Sequence, residues 1–172
     1  HPLGLAQSWH NTAITYRHLR QLERGDECER RAMEFARDAS SAGLTAMAQV
    51  GRAELYLERG DAPMAAAQAR RAARDFAALP DPVREADALR LLGVASLAMD
   101  DLPGAREAVD RAVALAEAHG SALIAAESLK ARAEVARRAG RLEDARRDAR
   151  AAAEVFRRLG IAEDDAANGG NG

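Results

Sequence analysis

Apolar positions along the chain recur at helical spacing. In residues 85–120, Leu89, Leu92, Ala95 and Ser96 fall on one face of a helix, and Ala105, Val109, Ala112 and Val113 fall on one face of the next. These three- and four-residue steps are those of amphipathic α-helices, and without β-branched alternation no strand is expected. The pattern returns every 40 residues. One series of small residues runs Ala13, Ala53, Gly93, Ala133; a second runs Gly25, Ala65, Ala105, Ala145; a third runs Ala32, Ala72, Ala112, Ala152. Between the first two series lie turns at Arg20-Gln21, Gly60-Asp61, Asp100-Asp101 and Gly140-Arg141, and after the third come Ser40, Pro80, Gly120 and Gly160, a set rich in helix stoppers.

A fixed period of this length indicates stacked supersecondary units. The chain therefore reads as all-α, with four helix pairs at about 5–42, 44–80, 83–120 and 122–160 inside one repeat domain, 1–160. Small residues at the repeat positions let helices approach closely while larger neighbours fill the gaps, so a bulky side chain at Gly93 is expected to overpack. Pro63 and Pro103 stand just past a turn, in a first helical turn where the missing N–H costs nothing. Residues 161–172, acidic and then Gly-rich, are expected to be disordered.

Composition narrows the function. The 172 residues hold 25 Lys+Arg and 27 Asp+Glu, so the net charge of −2 offers no global basic footprint for nucleic acid. A single cysteine, Cys28, excludes an internal disulfide framework and a multi-cysteine zinc site. No apolar run reaches the roughly 18 residues of a bilayer span, and the N-terminus carries no secretory pattern; a cytoplasmic, membrane-free protein is expected. The chain starts at His1 without an initiator Met, as expected of a processed chain or a fragment. Basic residues are Arg throughout except Lys130, and alanine is abundant, which suggests a GC-rich bacterial source.

The series Trp9–Ala13–Tyr16–Gly25–Phe35 in the first unit, and Leu89–Leu92–Gly93–Ala105–Ala112 in the third, resembles the tetratricopeptide repeat. The likeness covers about residues 5–160. The period of 40 exceeds the family's usual length of about 34, so each pair of helices should be longer by about a turn, as in extended variants of bacterial signalling regulators. The resemblance implies a right-handed α-solenoid whose first helices line a concave groove for partners. Carried onto this chain, its groove positions are Gln7, His10, Ile14, Arg17 and His18, then Met47, Val50, Glu54, Leu57 and Glu58. The third and fourth units supply Asp87, Arg90, Val94, Leu97 and Ala98, and Glu127, Lys130, Glu134, Arg137 and Arg138. The family's carboxylate clamp of Lys and Asn is not matched: Asn11 falls at one clamp position, but His10 and Val50 stand where Lys is wanted.

No constellation points to catalysis, a cofactor or a metal. His10 and His18 share a face two turns apart, whereas helical metal ligands stand three or four residues apart with a third group nearby. Cys28 has no histidine at helical spacing and reads as a partly exposed structural thiol. The segments around Gly140 and at Glu58–Asp61 are inter-helix turns, not a phosphate loop or an adhesion motif. The arginines of the last unit alternate with Glu134, Glu143, Asp144, Asp148 and Glu154, a pattern of salt-bridged surface without stacking aromatics for nucleic acid.

The sequence thus implies a non-catalytic scaffold that holds a protein or peptide in its groove, apolar at the centre and charged towards the C-terminal end. Two other readings fit: a ligand- or peptide-sensing module of a larger bacterial signalling protein, and a self-assembly module. The last rests on Val155, Phe156 and Leu159, an apolar face expected to be exposed because no capping helix follows Gly160.

Overall fold

The computed structural model describes residues 1–161. It contains α1 (Pro2–His18), α2 (Leu22–Asp38), α3 (Ala42–Glu58), α4 (Ala62–Ala78), α5 (Pro82–Ala98), α6 (Leu102–Ala118), α7 (Ala122–Arg138) and α8 (Leu142–Arg158). Each helix has 17 residues. A helix begins every 20 residues, so the backbone repeats at half the period of the side chains. Only the environment of alternate helices differs.

The turns explain this regularity. Four of the helix-ending positions 20, 40, 60 and so on are glycines in the left-handed region, such as Gly60 at φ +78°, where a Cβ would be strained. The Gly60 N–H donates to the Leu57 carbonyl at 3.0 Å and the Asp61 N–H to the Tyr56 carbonyl at 2.8 Å. This pair of bonds closes the helix end and satisfies carbonyls that would otherwise be orphaned. Arg20, Ser40 and Asp100 adopt the same positive φ without being glycine. Pro80 cannot, yet the Asp81 N–H still reaches the Phe76 carbonyl at 2.9 Å. The next helix then starts on a side-chain cap: Ser41, Asp61, Asp81 and Asp101 each accept a backbone N–H three residues on.

Helices adjacent in sequence pack antiparallel along the whole stack. The odd-numbered helices also touch one another (α1·α3, α3·α5, α5·α7), whereas no such contact joins the even-numbered ones among the described residues. The odd helices therefore form the tighter, inner layer and the even ones splay outside, which curves the stack. Its centre is made of small residues around a few large ones: Ala46, Ala72, Ala73, Ala88 and Ala112 surround Phe76 and Leu89. The closest approaches need glycine. A Cβ on Gly93 would run into the Val109 side chain. One on Gly25 would lie 2.9 Å from Leu55 Cδ2.

Two sequence expectations change here. Cys28 is buried, not partly exposed, and burial pushes its thiol up, with Glu29 and Glu27 adding to the effect. Phe156 is likewise buried: it packs with Val155 on Val113, Ala126 and Leu129. Of the expected apolar face of α8 only Leu159 is exposed. The reason is that α6 and α7 present a matching apolar surface to that side of α8. The expected disordered segment lies outside the described residues apart from Ile161, which packs beside Phe156.

Candidate functional site

The inner layer opens two clefts. The N-terminal one, about 290 Å³, lies on α1 and α3 and is lined by His10, Ile14, Arg17, Met47, Val50 and Glu54, closed at one side by Phe76, Arg84 and Asp87. The C-terminal one, about 680 Å³, is lined by Arg90, Val94, Glu127, Lys130, Glu134 and Arg137 from α5 and α7. One whole wall of it comes from α8, with Leu142, Ala145, Arg146 and Ala149. Thirteen of the twenty groove positions carried over from the resemblance thus line a cleft. Leu57 and Leu97 do not: Leu57 packs on Tyr56 and Ala66, and Leu97 is buried on Ala105, Val109 and Val135. Both sit near the ends of their helices, where the inner layer turns towards the next outer helix, so Leu97 is carried into the core and Leu57 lies half-buried at its edge.

Paired charges run along the inner face. His10 Nδ1 lies 3.0 Å from both carboxylate oxygens of Glu29, a residue of α2 that is only 1% exposed. Gly51 makes room for this carboxylate, since any Cβ there would collide with it. Burial pushes the Glu29 carboxyl above its ordinary range despite the hydrogen bond and charge of His10. Burial also opposes protonation of His10, but the Glu29 hydrogen bond and charge outweigh it and hold the imidazolium above the usual histidine range. Further along, Arg17 pairs with Glu54 and lies 3.7 Å from Glu58, to which Arg20 donates at 2.8 Å. Arg90 donates to Asp87 at 2.8 Å and stands 3.6 Å from Glu127. Burial raises the carboxyls of Glu54 and Glu127, each opposed by its arginine. Burial also lowers the Lys130 ammonium, against the pull of Glu127.

These ion pairs link successive inner helices, α1 to α3 and α5 to α7. They fix the register of the stack and leave an inner surface of apolar floors between half-buried charges, suited to reading the shape and charge of a segment laid across it. His10 is engaged with Glu29, and His18 is exposed. The arginines of α7 and α8 carry carboxylate partners, among them Arg132–Asp148 at 2.6 Å, Arg146–Glu143 at 2.6 Å and Arg147–Asp144 at 2.9 Å, as the alternating charges of the sequence imply.

The sequence reasoning missed the α8 wall. The resemblance assigns the groove to the first helix of each pair and gives the second helices no groove position. A usable signal was present: the positions of Leu142, Ala145 and Ala149 are apolar or small in α4 and α6 as well, at Ala62, Ala65 and Ala69 and at Leu102, Ala105 and Val109. There they are covered by the following helix.

No family model matches the sequence, and no curated protein matches it. Solved structures do. The chain superimposes on aspartyl phosphate phosphatase F from Bacillus subtilis with a TM-score of 0.82 at 14% identity, covering 93% of this chain and 42% of that one. The signal transduction ATPase with numerous domains from Pyrococcus horikoshii, which has a tetratricopeptide repeat sensor, matches with a TM-score of 0.76 at 17% identity over 91% of this chain and 24% of that one. The kinesin light chain-type repeats of Podosopora anserina match with a TM-score of 0.69 at 14% identity, over 90% and 76%. The chain thus spans less than half the length of the first two. At these identities the likeness establishes the fold: the chain is a tetratricopeptide-type α-solenoid.

Proposed function

We propose that this chain is a non-catalytic scaffold that binds a protein or peptide along the inner face of its solenoid. The observation that carries the reading is the pair of open clefts on that face, each with an apolar floor between half-buried charges. The charged side chains there are engaged in fixing helix register, which favours recognition over proton transfer or nucleophilic attack. No helix among the described residues is long and apolar enough to cross a membrane, in keeping with a cytoplasmic setting. The test is a peptide-display selection on the folded chain, counter-screened against Met47→Asp and Val94→Asp variants that keep their helical circular dichroism. Peptides that bind the wild type and lose at least about tenfold in affinity on either variant, a change of about 1.4 kcal/mol, support the groove. Selected peptides that bind all three equally refute it.

A second reading, ligand sensing, is favoured by the size of the C-terminal cleft, which falls in the range of small-molecule sites, roughly 300–1,000 Å³. Its walls come from α5, α7 and α8, so an occupant bridging them would bias the angle between the last helix pair and the rest. Small-angle scattering with and without a selected peptide tests this; an unchanged radius of gyration counts against it.

A further inference from the structure

We infer that a groove on the outer face of the solenoid, between α4 and α6 with α5 as its floor, receives an acidic, apolar segment of a partner protein. Its occupant sets a large apolar side chain over Leu92 and a carboxylate beside Arg70 and Arg74. This is a second site, separate from the clefts of the inner face and independent of the scaffold reading given to them.

The groove follows from the splay of the outer layer. α4 and α6 both pack on α5 and do not meet each other among the described residues. The side of α5 turned away from Arg90 and Val94 is therefore left between them, and it carries Leu89, Leu92 and Ser96. A cavity of about 310 Å³ opens there, with Ala73, Arg74 and Ala77 of α4 on one wall and Glu107, Ala108 and Arg111 of α6 on the other. Small residues on both walls hold it open. Its volume lies at the low end of ligand sites, room for one large side chain but not for a helix.

The neighbouring units fill the same place with charge. Leu92 stands where α3 has Arg52 and α7 has Arg132. Arg52 donates to Asp26 of α2 at 2.7 Å and to the Tyr56 hydroxyl at 2.7 Å. Arg132 donates to Asp148 of α8 at 2.6 Å and lies 3.6 Å from Asp110 of α6, tying two outer helices together across the groove. In the third unit the acids are replaced as well: Ala66 and Ala108 hold the positions of Asp26 and Asp148. Leu92 is half-buried and packs beside Ala66. α5 thus keeps an apolar floor where α3 and α7 carry ion pairs.

Charge names the occupant. On α2, Arg30 pairs with Glu27 at 2.7 Å, and on α8 Arg146 pairs with Glu143 at 2.6 Å and Arg147 with Asp144 at 2.9 Å. On α4 the place of Glu27 is taken by Ala67 and that of Glu34 by Arg74. Neither Arg70 nor Arg74 has a carboxylate three or four residues away, and among the described residues neither makes an ion pair. Both are exposed and both line the groove. Like charges one turn apart repel, and a carboxylate brought to them relieves that repulsion with charge-assisted hydrogen bonds. Arg111 is already engaged, with Glu85 at 3.1 Å. Glu85 and Glu107 line the same groove and disfavour a doubly charged phosphate. No lining residue is aromatic, so the stacking that holds a single-stranded nucleic acid is missing. A singly charged carboxylate next to an apolar side chain fits both the arginines and the floor, and acidic, hydrophobic peptide segments carry that pattern.

The probe is a dye-labelled peptide, Gly-Asp-Asp-Phe-Leu-Asp-Asp-Gly, titrated into the full chain by fluorescence anisotropy, each variant first being checked for helical circular dichroism. Saturable binding is expected, weakened at least about tenfold by Arg70→Glu with Arg74→Glu, several-fold by Ala77→Glu, and unchanged by Met47→Asp on the inner face. A peptide with Ser in place of Phe and Leu should also bind more weakly. Equal binding of that peptide overturns the inference, because the arginines would then act as a bare charged surface. No saturation at millimolar peptide overturns it too, as does displacement by inorganic phosphate or an oligothymidylate that chloride of equal ionic strength does not reproduce. Binding lost with Met47→Asp but kept with both arginines reversed moves the peptide to the inner face, which refutes the outer groove and leaves the scaffold reading intact. A wild-type dimer in light scattering that Arg70→Glu with Arg74→Glu dissolves assigns the groove to a second copy. Peptide binding that emerges only when residues 162–172 are removed assigns it to the chain's own acidic tail. Either result refutes the partner segment.

Discussion

Gln49 occupies the place in its unit held by Trp9, Leu89 and Leu129 in the others. Leu89 and Leu129 each anchor an apolar cluster between neighbouring outer helices. Gln49 is 0% exposed, and neither its amide oxygen nor its amide nitrogen has a hydrogen-bond partner on the protein. A buried polar group left unpaired costs about 1–3 kcal/mol, and leucine is close to glutamine in volume, so Gln49→Leu removes the penalty without opening a cavity or overfilling the site. Taking the two amide atoms as one partly relaxed group, the substitution should stabilise the chain by about 2 kcal/mol. For a domain of this size that corresponds to a melting temperature higher by about 4–8 °C. The reciprocal change, Leu89→Gln, should destabilise by at least about 2 kcal/mol, since it loses apolar burial and creates the same orphaned amide. Urea titrations monitored by circular dichroism, with midpoints and slopes compared across the three proteins, measure both effects. A slope that changes with the midpoint would show the repeats uncoupling, to be separated from a stability change. A Gln49→Leu protein no more stable than wild type refutes the reasoning: the amide would then be satisfied in solution.

Two further outcomes follow from the same packing and charge pattern. Gly93→Leu drives a side chain into Val109 and towards the Ala105 carbonyl, and should cost about 1–3 kcal/mol; an unchanged melting temperature would mean that α5 and α6 do not approach as described. The His10–Glu29 pair should make stability fall as pH rises. Because the folded-state value of His10 is raised, its contribution is fully present below the unfolded value of about 6.5 and is lost as pH climbs through the folded one. The raised Glu29 value has the same sign, since the native state holds that proton to higher pH than the unfolded chain does. The stability difference between wild type and His10→Gln should therefore be larger at pH 6 than at pH 8.5 in urea titrations. Parallel curves at the two values would refute the coupling.

The 40-residue recurrence of small residues was enough to determine four helix pairs, their turns and their all-α stacking, because close helix approach permits few residue types at the contact and punctuation marks the chain where helices end. The inner-face residues Arg17, Glu54, Arg90 and Lys130 were legible for the same reason: a periodic fold carries one unit's geometry to the next. Burial was not legible wherever it depended on a neighbour outside the unit. Leu97 has the same apolar character whether it faces a groove or the next helix, and Phe156 reads as exposed until α6 and α7 are seen to cover it. The His10–Glu29 bond joins two helices whose relative rotation no spacing in the sequence specifies. The open stripe of Leu142, Ala145 and Ala149 is a property of position in the stack, since the same residue types are core in α4 and α6. Periodicity sets which side of a helix is apolar; only the assembled layers decide what lies against it.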